Sequence, residues 1–147
     1  MRQDIESLAV MPACTAHYRQ IADIDHLTQF GPGEPLTRRD IRHRVKNGHG
    51  LFIATQHPDV LAFVLWRRHG TAVQIDRIAV HPYCWQRKVG SWLLDCLRVY
   101  HQQHHAVATM TAEVDLTNHG AIEFFIRNGW VVQSHRHTSL VMQLGGR

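Results

Sequence analysis

Apolar residues recur along this chain at two spacings, and the switches between them mark out strands and helices. Residues 8–12 read as a first strand. Over 16–30, Ile21, Ile24, Leu27 and Phe30 stand three apart, the spacing of one helical face. The run Gly31-Pro32-Gly33-Glu34-Pro35 breaks that helix. Thr37 then opens a short helix reaching about Asn47, with Asp40 as its capping partner, Ile41 and Val45 facing inward, and Gly48 as the stop. The β-rich runs 51–54 and 60–66 are joined by His57, Pro58 and Asp59 as a hairpin. Arg68, His69 and Gly70 turn into a strand that alternates through Val73 and Ile75, with Arg77 between Asp76 and Ile78, and ends at Val80. Pro82 stops it, since proline offers no N–H to a ladder. Val89, Trp92, Leu93, Cys96, Leu97 and Tyr100 recur at helical spacing, so a helix starts near Val89 or Gly90. Residues 107–114 form another strand. Asn118 opens a helix with Ala121, Ile122, Phe125 and Ile126 as its buried stripe, and Asn128-Gly129 closes it. Val131-Val132 and residues 139–144 are the last two strands.

The order β-α-α-β-β-β-α-β-α-β-β is that of an α/β protein. Its 147 residues are one domain's worth, and 44% hydrophobic content is enough for a sizeable core. No apolar run approaches the ~20 residues that span a bilayer, and the first residues, with Asp4 and Glu6, do not read as a secretory signal. Cys14, Cys84 and Cys96 cannot all pair and lack metal-ligand spacing, which suits a reducing cytoplasm. The net charge of +4 fits an anionic ligand or acidic partner, but without a basic tail it does not suit nucleic acid. The 13 histidines include His135 and His137, expected on one strand face, and the pair His104-His105 at a helix end. No third ligand stands at a sensible spacing, so no metal site is expected.

The chemistry concentrates between Val80 and Leu94. A helix start leaves backbone N–H groups unsatisfied and carries partial positive charge. With Arg87 and Lys88 beside it, this one is suited to an anion such as a phosphate or pyrophosphate. The second helix carries Arg38, Arg39, Arg42, Arg44 and Lys46, which read either as a solvated face or as a basic rim.

Two stretches carry a resemblance. Ile78-Ala79-Val80-His81-Pro82 with Trp85-Gln86-Arg87-Lys88-Val89-Gly90, and then Ala112-Glu113-Val114, Asn118, Ala121, Phe125 and Gly129-Trp130, resemble the paired motifs of the GNAT superfamily of acyl-CoA-dependent N-acetyltransferases. The likeness is dense over residues 70–144, and the earlier part follows by element order. It implies a GNAT-type mixed, mostly antiparallel, splayed sheet flanked by about four helices, with residues 1–147 forming a single such domain. It implies acetyl-CoA as co-substrate, and as acceptor a primary amine of a small molecule or a peptide N-terminus that attacks the thioester directly.

The resemblance also implies roles. Backbone groups of Ile78, Ala79 and Val80 would pair with the pantetheine arm, the Val80 amide near the thioester oxygen. Amides of Arg87, Lys88, Val89, Gly90 and Ser91 would hold the pyrophosphate. Asn118 would bond the arm from the other side, besides capping its helix, and Phe125 would line the cofactor. In the ribosomal-protein N-terminal acetyltransferase subgroup a Glu stands where Glu113 does and is a candidate base acting through water; it reads equally as a solvated strand carboxylate. Asp76 is the second candidate base, its alternative being a salt bridge to Arg77 or to a neighbouring strand. Helix residues 38–46 would border the acceptor and favour an acidic one. Three positions depart from the pattern: Trp85 replaces a leading Arg or Gln, Lys88 a loop Gly, and Phe125 the Tyr that protonates the leaving thiolate. The departures keep open a non-catalytic acyl-CoA-binding or protein-interaction module. Strand 139–144 is expected to expose an edge through which two copies could pair as a homodimer.

Overall fold

A computed structural model describes residues 8–28, 34–85, 87–104 and 107–144. The elements are β1 (Leu8–Pro12), α1 (Tyr18–Thr28), α2 (Arg38–Lys46), β2 (Gly50–Gln56), β3 (Asp59–His69), β4 (Ala72–Val80), α3 (Val89–His104), β5 (Thr109–Asp115), α4 (His119–Arg127), β6 (Trp130–His135) and β7 (Ser139–Leu144). Short 3₁₀ turns precede α1, at Thr15–His17, and follow β4, at Pro82–Cys84. The expected element order holds. Phe30, residues 31–33, Gln86 and His105 lie outside the described residues.

The strands form one sheet in the order β1-β2-β3-β4-β5-β7-β6, antiparallel except for the β4–β5 pair. β7 lies between β5 and β6, so both its edges are occupied. The expectation that residues 139–144 would pair across a dimer is thereby corrected; the sheet's edges belong to β1 and β6. His137 also falls after β6 ends, in the turn to β7, so it does not share a strand face with His135.

Both faces of the sheet centre are covered, which explains why β3 is buried continuously from Val60 to Trp66. On one face Leu51, Ile53, Phe63 and Leu65 pack against Tyr18, Ile21 and Ile24 of α1 and Ile41 of α2. On the other, Val64, Val73, Ile75 and Ala112 meet Leu93, Leu94 and Leu97 of α3. The α2 start is as its sequence predicts: the Thr37 hydroxyl accepts from the Asp40 amide at 3.1 Å, and the Asp40 carboxylate accepts from the Thr37 amide at 3.0 Å. That backbone hydrogen bond from Thr37 holds the Asp40 carboxyl below the ordinary range. α4 departs from expectation. Phe125 is buried, but Ile126 is 52% exposed, because the helix shows the core a narrower stripe than its apolar residues suggest.

Gly50 pairs with Trp66 across β2 and β3, and a Cβ there would overlap the indole. Trp66 cannot yield easily, since Phe52 and His101 press edge-on against it at 4.7 and 5.3 Å. Gly50→Ala is expected to cost about 1–3 kcal/mol by overpacking, read as a lower urea midpoint at unchanged slope.

Candidate active site

The sheet opens at its middle. β4 and β5 pair only from Ala72↔Thr109 to Ile75↔Ala112, and beyond that point residues 76–80 and 113–115 have no partner in each other. One β4 irregularity sits at the fork. Leu65 pairs with Arg77 and Trp66 with Ile75, so Asp76 is the extra residue of a bulge, which bends the strand and re-aims its side chains.

The backbone of β4 faces that opening. The His81 amide donates to Leu61 O at 2.7 Å, on the β3 side. In a planar trans peptide the Val80 carbonyl points the opposite way, into the splay. Ile78, two residues back along the strand, presents its N–H and C=O to the same side. Ala79 turns toward β3 instead and packs beside the α1–α2 core.

Past the Pro82–Cys84 turn, α3 begins with no acidic residue in its first turn. Its first amides, from Val89, Gly90 and Ser91, lack intrahelical partners by construction. Arg87 and Lys88 are exposed beside them, with no ion pair among the described residues. Lys88 has φ +61°, the left-handed conformation where the resembled pattern has glycine, and its carbonyl accepts the Trp92 amide at 3.1 Å. A side chain there costs about 1–2 kcal/mol. Lys88→Gly is expected to stabilise the fold by up to about 1 kcal/mol, net of the entropy glycine adds to the unfolded chain, and a thermal melt reads it.

Gly90 has a packing reason of its own. A Cβ at Gly90 would lie 3.0 Å from Val80 Cγ2 and 3.1 Å from Phe124 Cε1. The helix start, the end of β4 and the Phe124 ring are therefore in close contact. Phe125, expected to line the cofactor, is 2% exposed and packs on Trp130 with ring centroids 4.8 Å apart. Phe124 is the aromatic that faces the α3 start, and sequence reasoning missed it; adjacent residues on a helix point about 100° apart, and only the packing decides which one meets α3.

Across the splay, Glu113 is exposed while its neighbours Ala112 and Val114 are buried, as the alternation required. Its Oε2 accepts from Ser139 Oγ at 2.5 Å. Asn118 Oδ1 caps α4 by accepting from the Ala121 amide at 3.1 Å, and its NH₂ makes no bond among the described residues. Just before it, the Thr117 hydroxyl and amide both donate to Asp115 Oδ1, which holds that carboxyl below its ordinary range.

Asp76 is not an open base. Arg67 Nε lies 3.1 Å and His49 Nε2 3.2 Å from its Oδ2, with Arg44 Nη1 at 3.7 Å. This is the salt bridge to a neighbouring strand, joined by two groups from the α2 side. Arg77 goes elsewhere: its Nη1 reaches both oxygens of buried Asp25, at 2.6 and 2.7 Å. Asp25 also accepts from the Leu36 amide at 2.7 Å, and Arg77 Nη2 donates to Glu34 O at 3.3 Å. One ion pair thus ties α1 and the segment before α2 to β4.

On the outer surface of α1 and α2 lie two concavities of about 330 and 480 Å³, one lined by Arg19, Ala22, Asp23 and Arg38, the other by Thr37, Arg38, Arg39 and Arg42. Neither lining includes a residue of the splay. Among the described residues no three His, Cys, Asp or Glu side chains gather as metal ligands, and no helix is long and apolar enough to cross a membrane. Cys14, Cys84 and Cys96 are unbridged, and burial raises the Cys96 thiol.

A forked parallel strand pair, with strand backbone open on one arm and bare helix amides at its mouth, is shaped for an extended ligand that ends in an anion. The model of the acetyltransferase (GNAT) family matches residues 18–130, and the chain belongs to that family. Solved structures similar to it include a PaiA N-acetyltransferase from Thermoplasma acidophilum in complex with coenzyme A, at 12% identity and TM-score 0.83, covering 93% of this chain and 98% of that one. The ribosomal-protein-S18-alanine N-acetyltransferase of Escherichia coli is similar at 20% identity and TM-score 0.78, over 93% and 92% of the two chains. YncA of Salmonella typhimurium with acetyl-CoA is similar at 15% identity and TM-score 0.72, over 93% and 92%. No curated protein matches the chain by sequence.

Proposed function

We propose that this chain is an acetyl-CoA-dependent N-acetyltransferase that passes the acetyl group directly to a primary amine of a small molecule or a peptide N-terminus. The single observation that carries this reading is the fork at Ile75/Ala112, which leaves one strand's backbone open beside a bare helix N-terminus. An acyl-CoA has the complementary shape: a pantetheine arm with amides for the strand, and a pyrophosphate for the helix. Ile78 and Val80 bond the arm, while Ala79 supports them from the opposite side. Amides of residues 88–91 hold the pyrophosphate with the charges of Arg87 and Lys88; the Arg87 amide, expected to join them, donates to Cys84 O at 3.1 Å instead. Asn118 donates its spare NH₂ to the arm. Acetyl-CoA supplies the activated acyl group and a good thiolate leaving group.

Glu113 is the base, at the fork on the open strand face, and it draws the proton from the incoming ammonium directly or through water. Asp76, engaged by the Arg67 and Arg44 guanidiniums and by His49, serves instead to fix the bulge. Arg38, Arg39 and Arg42 make no ion pair among the described residues and favour an acceptor carrying acidic groups. A second reading, an acyl-CoA-binding module without turnover, is favoured by Phe125, which has no hydroxyl and is sealed in the core.

Calorimetric titration with acetyl-CoA tests the reading. Micromolar binding is expected, weakened about three- to tenfold in Lys88→Gly even though that variant melts higher, because the ammonium is lost from the phosphate site. Absence of binding would sink both readings. Binding without thiol release across acidic amines and peptide N-termini would favour the silent module.

A further inference from the structure

The mouth of the splay is held by a side chain. Trp85 donates its indole N–H to the Val80 carbonyl at 2.7 Å. This is the carbonyl that planarity of the Val80–His81 peptide aims away from β3 and into the opening. The indole is delivered there by the Pro82–Cys84 turn, whose backbone bonds the Cys84 amide to His81 O at 2.8 Å and the Trp85 amide to Pro82 O at 3.2 Å. His81 stiffens the same turn: its ring stacks on Tyr83 at 1° between planes, and its Nδ1 accepts the Tyr83 amide. Trp85 itself remains 56% exposed, so little packing opposes its departure.

We propose that Trp85 is a gate that sets cofactor affinity: its indole N–H holds the Val80 carbonyl until an amide of the pantetheine arm takes its place. The inference rests on the acetyl-CoA reading. A carbonyl has a second lone pair, but the ring that occupies the first is bulky and stands over the same opening, so indole and arm exclude each other. Binding therefore exchanges one hydrogen bond for another instead of adding one. The exchange removes most of that bond's net contribution to affinity, while the exposed carbonyl stays satisfied in the empty enzyme. Gly90, the Val80 side chain and the Phe124 ring are already in close contact, and the indole, 56% exposed, leaves toward solvent when displaced.

The test compares wild type with Trp85→Phe, which keeps a ring and removes the donor. Acetyl-CoA and adenosine 3′,5′-bisphosphate, which has the nucleotide without the arm, are titrated by calorimetry. The gate predicts that Trp85→Phe binds acetyl-CoA about three- to tenfold tighter and the bisphosphate unchanged. Equal or weaker acetyl-CoA binding by the variant would overturn the gate, and so would an equal gain on both ligands, which would signal a loosened loop. An independent reading needs no variant. The indole ¹⁵N–H signal of Trp85 should shift to a solvent-exposed position on adding acetyl-CoA but not the bisphosphate; a signal that stays put at saturation would overturn the gate. Wild type that binds neither ligand overturns the acetyl-CoA reading itself, and a gate that fails while binding persists leaves that reading intact.

Discussion

Arg77→Met is expected to lower stability by about 3–5 kcal/mol, the largest loss that a single side chain on β4 should produce. The Asp25 carboxylate is 2% exposed and takes its counter-charge from Arg77 Nη1 alone among the described residues. Methionine fills a similar volume along the strand, so the variant leaves the apolar packing and removes the charge. What remains is a buried carboxylate with one backbone donor, the Leu36 amide. For a chain of this length the loss corresponds to a fall of roughly 8–15 °C in melting temperature.

The double variant Asp25→Asn with Arg77→Met separates the pair from its penalty. Most of the cost of Arg77→Met is the charge left behind, so removing that charge should restore the greater part of the stability. A double variant as unstable as the single one would mean that the guanidinium acts through packing instead. The same pair also anchors residues 34–36, the lead into the α2 helix proposed to border the acceptor, by two backbone bonds. The rescued double variant should therefore fold yet show a raised KM for the acceptor, with acetyl-CoA binding little changed.

Contacts local in sequence were legible before the structure, and contacts between distant segments were not. The Thr37–Asp40 capping box, the Asn118 cap and the Gly48 stop each involve residues a few positions apart, and all three form as expected. The face of Glu113 followed from strand alternation alone. The Asp25–Arg77 pair spans 52 residues, and no periodicity announces it. The Asp76 bulge exists only in the register between β3 and β4, so the strand pattern read as unbroken alternation. β7 inserts between β5 and β6, a topological fact that its six residues do not encode. Lys88 is the intermediate case. Its place in the loop pattern marked it as standing where glycine is usual, and the positive φ gives that departure a conformational meaning.

Glu113→Gln is expected to lower turnover by about 10²–10⁴-fold near pH 7 while leaving the affinity for acetyl-CoA unchanged. Glutamine has nearly the same shape, and its amide oxygen can still accept the Ser139 hydroxyl, so strand packing and the fork survive. The lost function is proton removal from the acceptor, whose amine is mostly protonated at neutral pH: a side-chain amine titrates near pH 10.4 and a peptide N-terminus near 7.7–8.0. That difference gives the experiment a second axis. As pH rises through the acceptor's own pKa, solvent does the base's work, and the deficit of the variant should shrink. With a peptide N-terminus as acceptor it should narrow already by about pH 9, and with a lysine-like amine only above pH 10. Initial rates of wild type and variant measured across that range read out both the role of Glu113 and the kind of amine it serves. A variant within threefold of wild type at every pH would remove Glu113 from the chemistry and leave water in the open face of the splay as the proton acceptor.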